Sequence, residues 1–353
     1  MDPFTHALSG ALLARAATQS SSQRHAKQAD LPLRLQVIAG FAAAAFPDVD
    51  LILRLIDTLT YLNWHQGPTH SLILLPLWAW LLARLFSWLT HERYTWKLFY
   101  RPACLGLSIH IAGDLITSYG LMLFAPFSTE RFSLPLAFVI DPWFSLIIIA
   151  GLLASWRYPQ QRMPAILALA SLCGYLIFLW TLHQQAIEIA IRHADAQALP
   201  QAQISVLPQP LSPFHWKIII RQENNYHLAD VNLRQSISPK QNQATWLLAK
   251  MAATYLPAAE NNWQIRQQFG ADPAKSMLVR EAWLHPTFES FRTFAVFPVL
   301  ERIDTSERGL CVWFYDLRFK FPELPPSFRY GVSRQNDHSG WEMFRQRGLF
   351  YID

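Results

Sequence analysis

Apolar residues form long runs in the first half of the chain, separated by short polar connections. The runs cover residues 35–46, 72–89, 105–124, 144–156 and 165–182. A helix crosses the hydrocarbon core of a bilayer with about 20 apolar residues, and several runs approach this length. A further helix is predicted from the N-terminus to Ala17, with Asp2 or Thr5 as its cap. The pattern therefore predicts an α-helical polytopic membrane domain of about 5–6 helices.

After residue 198 the pattern changes to short segments separated by turn residues. β-Branched and aromatic residues predict strands at 216–221, 226–233, 295–302 and 310–320, and helices are predicted at 244–255 and 258–269. We therefore predict a helical membrane domain over residues 1–198 and a small α+β, sheet-rich soluble domain over residues 199–353. Asp316, Arg318 and Lys320 alternate along one predicted strand, which indicates a solvated face.

The overall composition supports a membrane protein. Hydrophobic residues make up 52% of the chain and charged residues 16%, whereas soluble domains average about 25% charged residues. The net charge is +5, but no cluster of Lys and Arg is interleaved with aromatic residues, so we predict no nucleic-acid partner. The three cysteines are far apart and form neither a zinc motif nor a disulfide framework.

Basic residues collect in alternate connections between the apolar runs. Cytoplasmic loops of membrane proteins carry an excess of Lys and Arg, which predicts that these connections face the cytoplasm. The residues concerned are Arg24, Lys27, Arg34, Arg93, Lys97, Arg101, Arg157 and Arg162. The remaining connections and the C-terminal domain are then predicted to be extracytoplasmic.

Potential metal ligands lie in or beside the apolar runs, and this orientation brings them towards the outer side. A carboxylate or imidazole is costly in an apolar environment unless it is paired or binds a cation. The eight candidates are His6, Asp48, Asp50, His65, His70, His110, Asp114 and Asp141. Their position predicts a membrane-embedded metal site.

His110 and Asp114 give the clearest local signal, because a spacing of four residues puts both side chains on one helical face. Ala112 and Gly113 lie between them and allow another helix to approach closely. A hydrogen-bonded pair that stabilises the helix bundle is the alternative interpretation.

Two further pairs add candidates. Asp48 and Asp50 can reach one cation from a loop or a helix end, although a polar cap at a membrane boundary has the same pattern. His65 and His70 flank a Gly-Pro turn, which alternatively is only the entry to a helix. Asp141 precedes Pro142 and is equally compatible with a helix start. Tyr119 and Arg131 fall on the same side, without a predicted role.

These residues resemble the LexA-regulated, membrane-bound, metal-dependent hydrolase family of inner-membrane proteins. The resemblance covers about residues 1–185 and rests on four features. They are His6, the segment Pro47-Asp48-Val49-Asp50, the segment His65-Gln66-Gly67-Pro68-Thr69-His70-Ser71-Leu72 and the segment Ser108-Ile109-His110-Ile111-Ala112-Gly113-Asp114. The family has Arg at the position of Gln66, so this chain departs from the pattern there. The resemblance implies a bacterial inner-membrane, multi-pass protein that hydrolyses its substrate with a bound metal.

We therefore predict a metal-dependent hydrolase that acts on a phosphoester or lipid-like substrate at the outer face of the inner membrane. The predicted metal ligands are His6, Asp48, Asp50, His70, His110 and Asp114, and the predicted catalytic groups are Asp50 and His65. Nitrogen and oxygen ligands without thiolate favour Zn²⁺, with Mn²⁺ or Mg²⁺ as alternatives. Membrane lipid, a small lipid-like substrate and a protein bound to the C-terminal domain are the predicted partners. A scaffold or binding protein with a structural metal site, and a metal-ion or solute transporter, are the alternatives.

Overall fold

The computed structural model describes residues 1–18, 31–234, 246–257, 260, 263–306, 309–335 and 340–345. The chain forms two compact units, Met1–Thr181 and Leu182–Asp353. This division lies ahead of the boundary predicted after residue 198, and it falls inside one long helix. Arg24 and Lys27, on which the predicted orientation partly depends, lie outside the described residues.

The first unit is helical. Asp2 caps the first helix by accepting from Thr5 N at 3.0 Å, and a proline follows at the first helical position, where its missing N–H costs nothing. The α-helices are α1 (Pro3–Ala16), α2 (Leu33–Ala45), α3 (Thr58–Trp64), α4 (Leu75–Leu89), α5 (Trp96–Leu115), α6 (Pro142–Arg157) and α7 (Met163–Ala196), and two 3₁₀ helices cover Pro47–Leu55 and Pro68–His70.

Within the described part of the chain, α7 alone is long and apolar enough to cross a membrane as one straight helix. Two bent pairs also qualify if each counts as one span: α2 with Pro47–Leu55, bent by 42°, and Thr58–His70 with α4, bent by 81°. The structure thus contains one candidate span, or up to three. The predicted run 105–124 ends as a helix at Leu115, because the chain turns at Gly120 (φ 89°) and pairs Leu121 with Phe132. A polytopic domain of five or six helices stays a prediction.

Small residues let α1, α2 and α5 pack with their backbones in contact. A Cβ on Gly10 would lie 2.3 Å from Gly40 O, and a Cβ on Gly106 would lie 2.5 Å from the same oxygen. Both distances are too short for a side-chain carbon, so these positions tolerate glycine alone. Close approach at small residues is the usual way in which helices associate in a membrane. This packing aligns the helices that carry His6, His110 and Asp114.

The Gly10→Ala variant is therefore expected to destabilise the first unit by about 3 kcal/mol, the upper range for an overpacked core. The added methyl group meets the backbone of α2, which cannot move aside as a flexible side chain would. Thermal unfolding in detergent measures the effect. Gly174→Ala is the matched control, because a Cβ there has nothing within 4 Å. Equal unfolding midpoints for both variants would contradict the close packing.

The second unit is rich in β-sheet. The strands are β1 (Gln203–Pro208), β2 (His215–Gln222), β3 (Asn225–Asn232), β4 (Leu256–Pro257), β5 (Gln264–Gln267), β6 (Pro298–Ser306), β7 (Gly309–Asp316), β8 (Tyr330–Gln335) and β9 (Trp341–Arg345), and the helices are α8 (Leu247–Ala253), α9 (Pro273–Leu284) and α10 (Glu289–Phe294). One sheet has the order β1-β2-β3-β4, with β5 also paired to β3, and the other is the antiparallel meander β6-β7-β8-β9. Ile219, Tyr226, Val299, Tyr315 and Leu317 form a common core that includes residues from strands of both sheets.

Two expectations for this unit were wrong. The helix predicted at 258–269 is replaced at Gln264–Gln267 by β5, because antiparallel pairing with β3 outweighs the local preference. Residues 258, 259, 261 and 262 of that segment lie outside the described residues. Asp316 and Arg318 do not form a solvated face either, since they are only 0% and 7% exposed. The chain leaves β7 at Asp316 and enters a short 3₁₀ helix, so the strand alternation ends there.

Candidate metal centre

The geometry of the site begins on α5, where His110 and Asp114 occupy one face at a spacing of four residues. His110 Nε2 lies 3.3 Å from Asp114 Oδ2, and both side chains are buried. The helix ends directly afterwards, at Leu115. One helical turn therefore supplies an imidazole and a carboxylate to the same point, as the spacing predicts.

Asp48 and His70 join this pair from the two 3₁₀ helices. His70 Nε2 is 3.2 Å from Asp114 Oδ2 and 2.9 Å from His110 Nε2. Asp48 Oδ1 is 3.8 Å from His110 Nε2 and 3.9 Å from His70 Nε2. The four side chains are at most 7% exposed. They form a buried group that could hold a metal ion.

The hydrogen bonds of the two imidazoles determine which atoms face the centre of this group. His110 Nδ1 lies 2.6 Å from the carbonyl oxygen of Ala44, which can only accept, so Nδ1 carries the proton. His70 Nδ1 lies 2.9 Å from Thr69 Oγ1 and 3.6 Å from Asp50 Oδ2. If His70 Nδ1 also carries its proton and donates it to Thr69 Oγ1, both Nε2 lone pairs point at each other and at two carboxylates. This concentration of electron-rich atoms needs shared protons or a cation.

A tetrahedral cation fits the spacing. Bonds of about 2.0–2.1 Å to zinc place neighbouring ligand atoms about 3.3 Å apart. The five separations among Asp48, His70, His110 and Asp114 given above run from 2.9 to 3.9 Å. Asp48 Oδ2 and Asp114 Oδ2 are also buried without a hydrogen bond, which a cation would remedy. The residues present therefore suit a divalent metal.

A second group adjoins the first and shares Asp48 with it. Ligand atoms of Asp48, Asp50 and His65 lie within 4.8 Å of one another. His65 Nδ1 is 2.9 Å from Asp50 Oδ1, and Asp50 Oδ2 accepts from Gln66 N at 3.1 Å. His65 retains 14% of its side-chain exposure, so this group is closer to solvent than the first. Asp48 is the residue common to both.

His6 lies against the first group without being one of its four members. Its Nε2 is 2.9 Å from Asp114 Oδ1, and its ring stacks on His110 with centroids 3.8 Å apart. A Cβ at Gly113 would lie 3.0 Å from His6 Cε1, so glycine provides the space for this ring. The amino group of Met1 also contacts Asp114 Oδ1. His6 Nδ1 is buried without a hydrogen bond. These contacts hold the Asp114 carboxylate in place.

The structure assigns the remaining candidates to the fold. Asp141 caps α6 by accepting from Trp143 N and Phe144 N, and it also accepts from Tyr175 Oη. Of the two interpretations of Asp141, the helix start therefore agrees with these contacts. Arg131 donates to the carbonyl oxygens of His65, Gly120 and Asn63 at 2.7–3.1 Å.

Tyr119 and Gln66 hold the same loop. Tyr119 Oη donates to Leu62 O at 2.7 Å, and Gln66 adopts a positive φ of 59° while its carbonyl oxygen accepts from Met122 N at 2.9 Å. Together with Arg131, these residues fix the backbone that presents His65. No local sequence signal identifies that role, because the partners are backbone carbonyl groups distant in sequence.

Comparison with known proteins agrees with a membrane location. A family model described as YdjM inner membrane protein matches residues 1–186. A protein of Bacillus subtilis (strain 168), described as uncharacterized protein YfhP, is 26% identical over 120 residues, which is 34% of this chain and 36% of the relative. The matching segment thus spans about a third of that relative's length. No solved structure matches. These descriptions name a membrane and no reaction, so the hydrolase and the identity of the metal stay predictions.

Proposed function

Since the chain belongs to the YdjM inner membrane protein family, we propose that it is a membrane-embedded, metal-dependent hydrolase. Its substrate is a phosphoester or lipid-like molecule at the outer face of the membrane. The observation that carries the proposal is the facing pair of imidazole nitrogens, His70 Nε2 and His110 Nε2, 2.9 Å apart beside the carboxylates of Asp48 and Asp114. Zn²⁺ suits this ligand set, with Mn²⁺ and Mg²⁺ as alternatives.

We propose two metal positions that share Asp48. The four buried residues Asp48, His70, His110 and Asp114 would supply all four ligands of one metal, and closed sites of this kind are typical of structural zinc. The group of Asp48, Asp50 and His65 supplies three ligands near solvent and leaves a position open, as catalytic sites do. A metal bound there would lower the pKa of its water to about 7 and polarise a phosphoryl or ester oxygen.

The chain's own residues provide the acid–base chemistry of this proposal. Asp50 Oδ1 accepts a hydrogen bond from His65 Nδ1–H, which leaves Nε2 as the basic atom of the imidazole. Arg131 holds the backbone of His65 and so restricts the position of the ring. Nε2 of His65 is then the free ring atom that would bind a metal in the open group, and Asp50, which orients the ring, is the proposed general base.

Support for a lipid-like substrate comes from the segment that carries the two aspartates. Ile52, Leu55 and Ile56 follow Asp50 directly and are 62%, 85% and 76% exposed. Large apolar side chains at such exposure are unfavourable in water and suit contact with acyl chains. A headgroup beside Asp50 and a hydrocarbon tail along this segment would both be accommodated.

The Asp50→Asn variant tests the hydrolase. We expect hydrolysis of a chromogenic phosphodiester or of phospholipid vesicles to fall at least about 100-fold, the typical contribution of a positioned acid–base group. The fold and the metal of the closed group should remain, because Asp50 is not among its four ligands. Asp57→Asn is the matched control, since Asp57 only caps α3 through Thr60 N and asparagine also caps helices.

A scaffold or binding protein with a structural metal is the second candidate, and the four-ligand closed group favours it. Wild-type protein that contains tightly bound metal but hydrolyses none of these substrates would support the scaffold. Unchanged hydrolysis in Asp50→Asn would exclude the catalytic role of Asp50 and His65.

A further inference from the structure

The second unit contains a cavity of about 420 Å³ that the metal centre does not involve. Lys217 on β2, Asp230 on β3, Arg266 on β5 and Lys320 after β7 line it, together with Leu228 and Phe321. Its volume lies within the range of small-molecule sites, which combine apolar walls with a few polar groups. The cavity lies outside residues 1–186, to which the family match is limited.

Lys217 is an unusual residue for this place. It occupies the middle of a paired strand and is 4% exposed, although lysine is almost never fully buried without a partner. Its Nζ donates to Leu317 O at 3.4 Å and to Lys320 O, and lies 4.0 Å from Asp230 Oδ1. Burial lowers the pKa of Lys217, and the charges of Asp230 and Asp316 oppose that shift. The ammonium group is thus held at the cavity wall by fixed backbone acceptors.

Asp230, in the same cavity, has a carboxylate oxygen that lacks a hydrogen-bond donor in the described part of the chain. Its Oδ1 is buried and receives no hydrogen bond from the residues that the structure describes. Lys217 Nζ at 4.0 Å is too distant to donate one. A buried carboxylate oxygen without a donor is costly, so a donor from outside the chain would be favourable there.

Positively charged side chains outnumber negatively charged ones among the residues that line the cavity. Lys217, Arg266 and Lys320 carry three positive charges against the one negative charge of Asp230, a balance of +2. Burial lowers the pKa of Lys320, and the charges of Lys217 and Arg266 add to this shift, while Asp230 and Glu323 act in the opposite direction. The cations therefore lie close enough to repel one another. An anion between them would relieve this repulsion.

We propose that this cavity binds an aminoalkyl phosphate, with the phosphate beside Lys320 and Arg266 and the amino group donating to Asp230 Oδ1. Multiple cations suit the several oxygens of a phosphate, and the apolar wall at Leu228 and Phe321 accommodates the carbon chain. The ligand is either a soluble metabolite of this class or the headgroup of an aminophospholipid. The binding is independent of the metal centre.

Titration calorimetry of the full-length protein in detergent tests this. Phosphoethanolamine should bind saturably at one site per chain, and ethyl phosphate, the same monoester without the amine, at least about fivefold more weakly, the scale of one charge-assisted hydrogen bond. Arg266→Gln should weaken both probes about tenfold. Arg266 is exposed on a short strand, so this variant retains the fold.

Asp230→Asn provides the discriminating arm. It should weaken phosphoethanolamine about fivefold and leave ethyl phosphate unchanged or tighter, which a merely structural role of Asp230 would not produce. Lys275→Gln, an exposed lysine on α9, is the control and should leave both affinities unchanged. Absence of saturable binding up to about 10 mM, or equal binding in wild type, Arg266→Gln and Asp230→Asn, would overturn the proposal.

Reconstitution in nanodiscs separates the two sources of the ligand. If the headgroup of a lipid occupies the cavity, discs of phosphatidylcholine that contain phosphatidylethanolamine should block binding of the soluble probe. If the natural ligand is soluble, binding should be the same with and without that lipid. Metal content of the Arg266→Gln protein should equal that of wild type in both cases, so a failure here is distinguishable from a failure of the proposed hydrolase.

Discussion

The Asp48→Asn variant is expected to lose metal from both groups at once, whereas changes to the other ligands affect one group each. Asp48 is the residue that the closed and the open group share, and a neutral amide would be a weaker ligand than its carboxylate for a metal in either group. Removing a partner that only orients a ligand already costs about 10–100-fold in metal affinity, so removal of a shared ligand should exceed 100-fold. Elemental analysis of purified protein measures the result directly.

The single-group variants give this prediction its internal control. His110→Ala should remove the metal of the closed group, and His65→Gln only that of the open group. Wild type should then contain about two equivalents, the two single-group variants about one each, and Asp48→Asn none. His91→Gln, an exposed histidine on the α4–α5 connection, should match wild type. One equivalent in wild type that is lost in His110→Ala and kept in His65→Gln would contradict the two-metal centre.

Aspartates in similar sequence contexts have different structural roles in the first unit. Asp48 and Asp50 lie in the first turn of the 3₁₀ helix that starts at Pro47, and Asp141 directly precedes Pro142 at the start of α6. Of these three, Asp141 caps its helix through Oδ1 and accepts from Tyr175 Oη through Oδ2. Asp50 instead joins His65 to the loop at Gln66. Whether such an aspartate caps a helix or belongs to the metal centre therefore depends on which side chains from distant segments lie beside its carboxylate.

Local periodicity explains which parts of the centre the sequence could predict. The spacing of His110 and Asp114 defines a common face because a helix repeats every 3.6 residues, and no distant contact is needed. His70 reaches the same point through a 3₁₀ helix and a sharp turn, which are properties of the whole bundle. The backbone contacts of Arg131 join residues more than 60 positions apart and have no counterpart in a sequence pattern.

The same contrast holds in the second unit. β2 is dense in β-branched and aromatic residues and β3 contains Tyr226 and Val231, so the strands predicted at 216–221 and 226–233 agree with the sheet-rich domain. β5 has the sequence Gln-Ile-Arg-Gln, with one apolar residue, and becomes a strand through its pairing with β3. Propensity in strands reflects the neighbours that pack on them, which a single segment does not reveal.

The Arg318→Met variant is expected to destabilise the second unit by about 3–5 kcal/mol, because it leaves a buried carboxylate without its cation. Asp316 is fully buried, and its Oδ2 accepts from Arg318 Nε at 3.1 Å and Nη2 at 2.9 Å. Arg318 Nη2 also donates to Phe294 O at 2.8 Å, which ties the end of α10 to the turn after β7. The urea dependence of proteolysis in the full-length protein reports the change.

Two further variants separate this buried pair from ion pairs in general. Arg318→Lys keeps the charge but not the planar fork that reaches both Asp316 and Phe294 O, so an intermediate loss is expected. Lys275→Met removes an exposed pair with Asp272 at 3.8 Å, in which both side chains are at least half exposed, and should change stability by less than about 1 kcal/mol. If Arg318→Met were as mild as Lys275→Met, the charge of Arg318 would contribute little to the stability of the second unit. The buried pair would then hold the two elements together by packing alone.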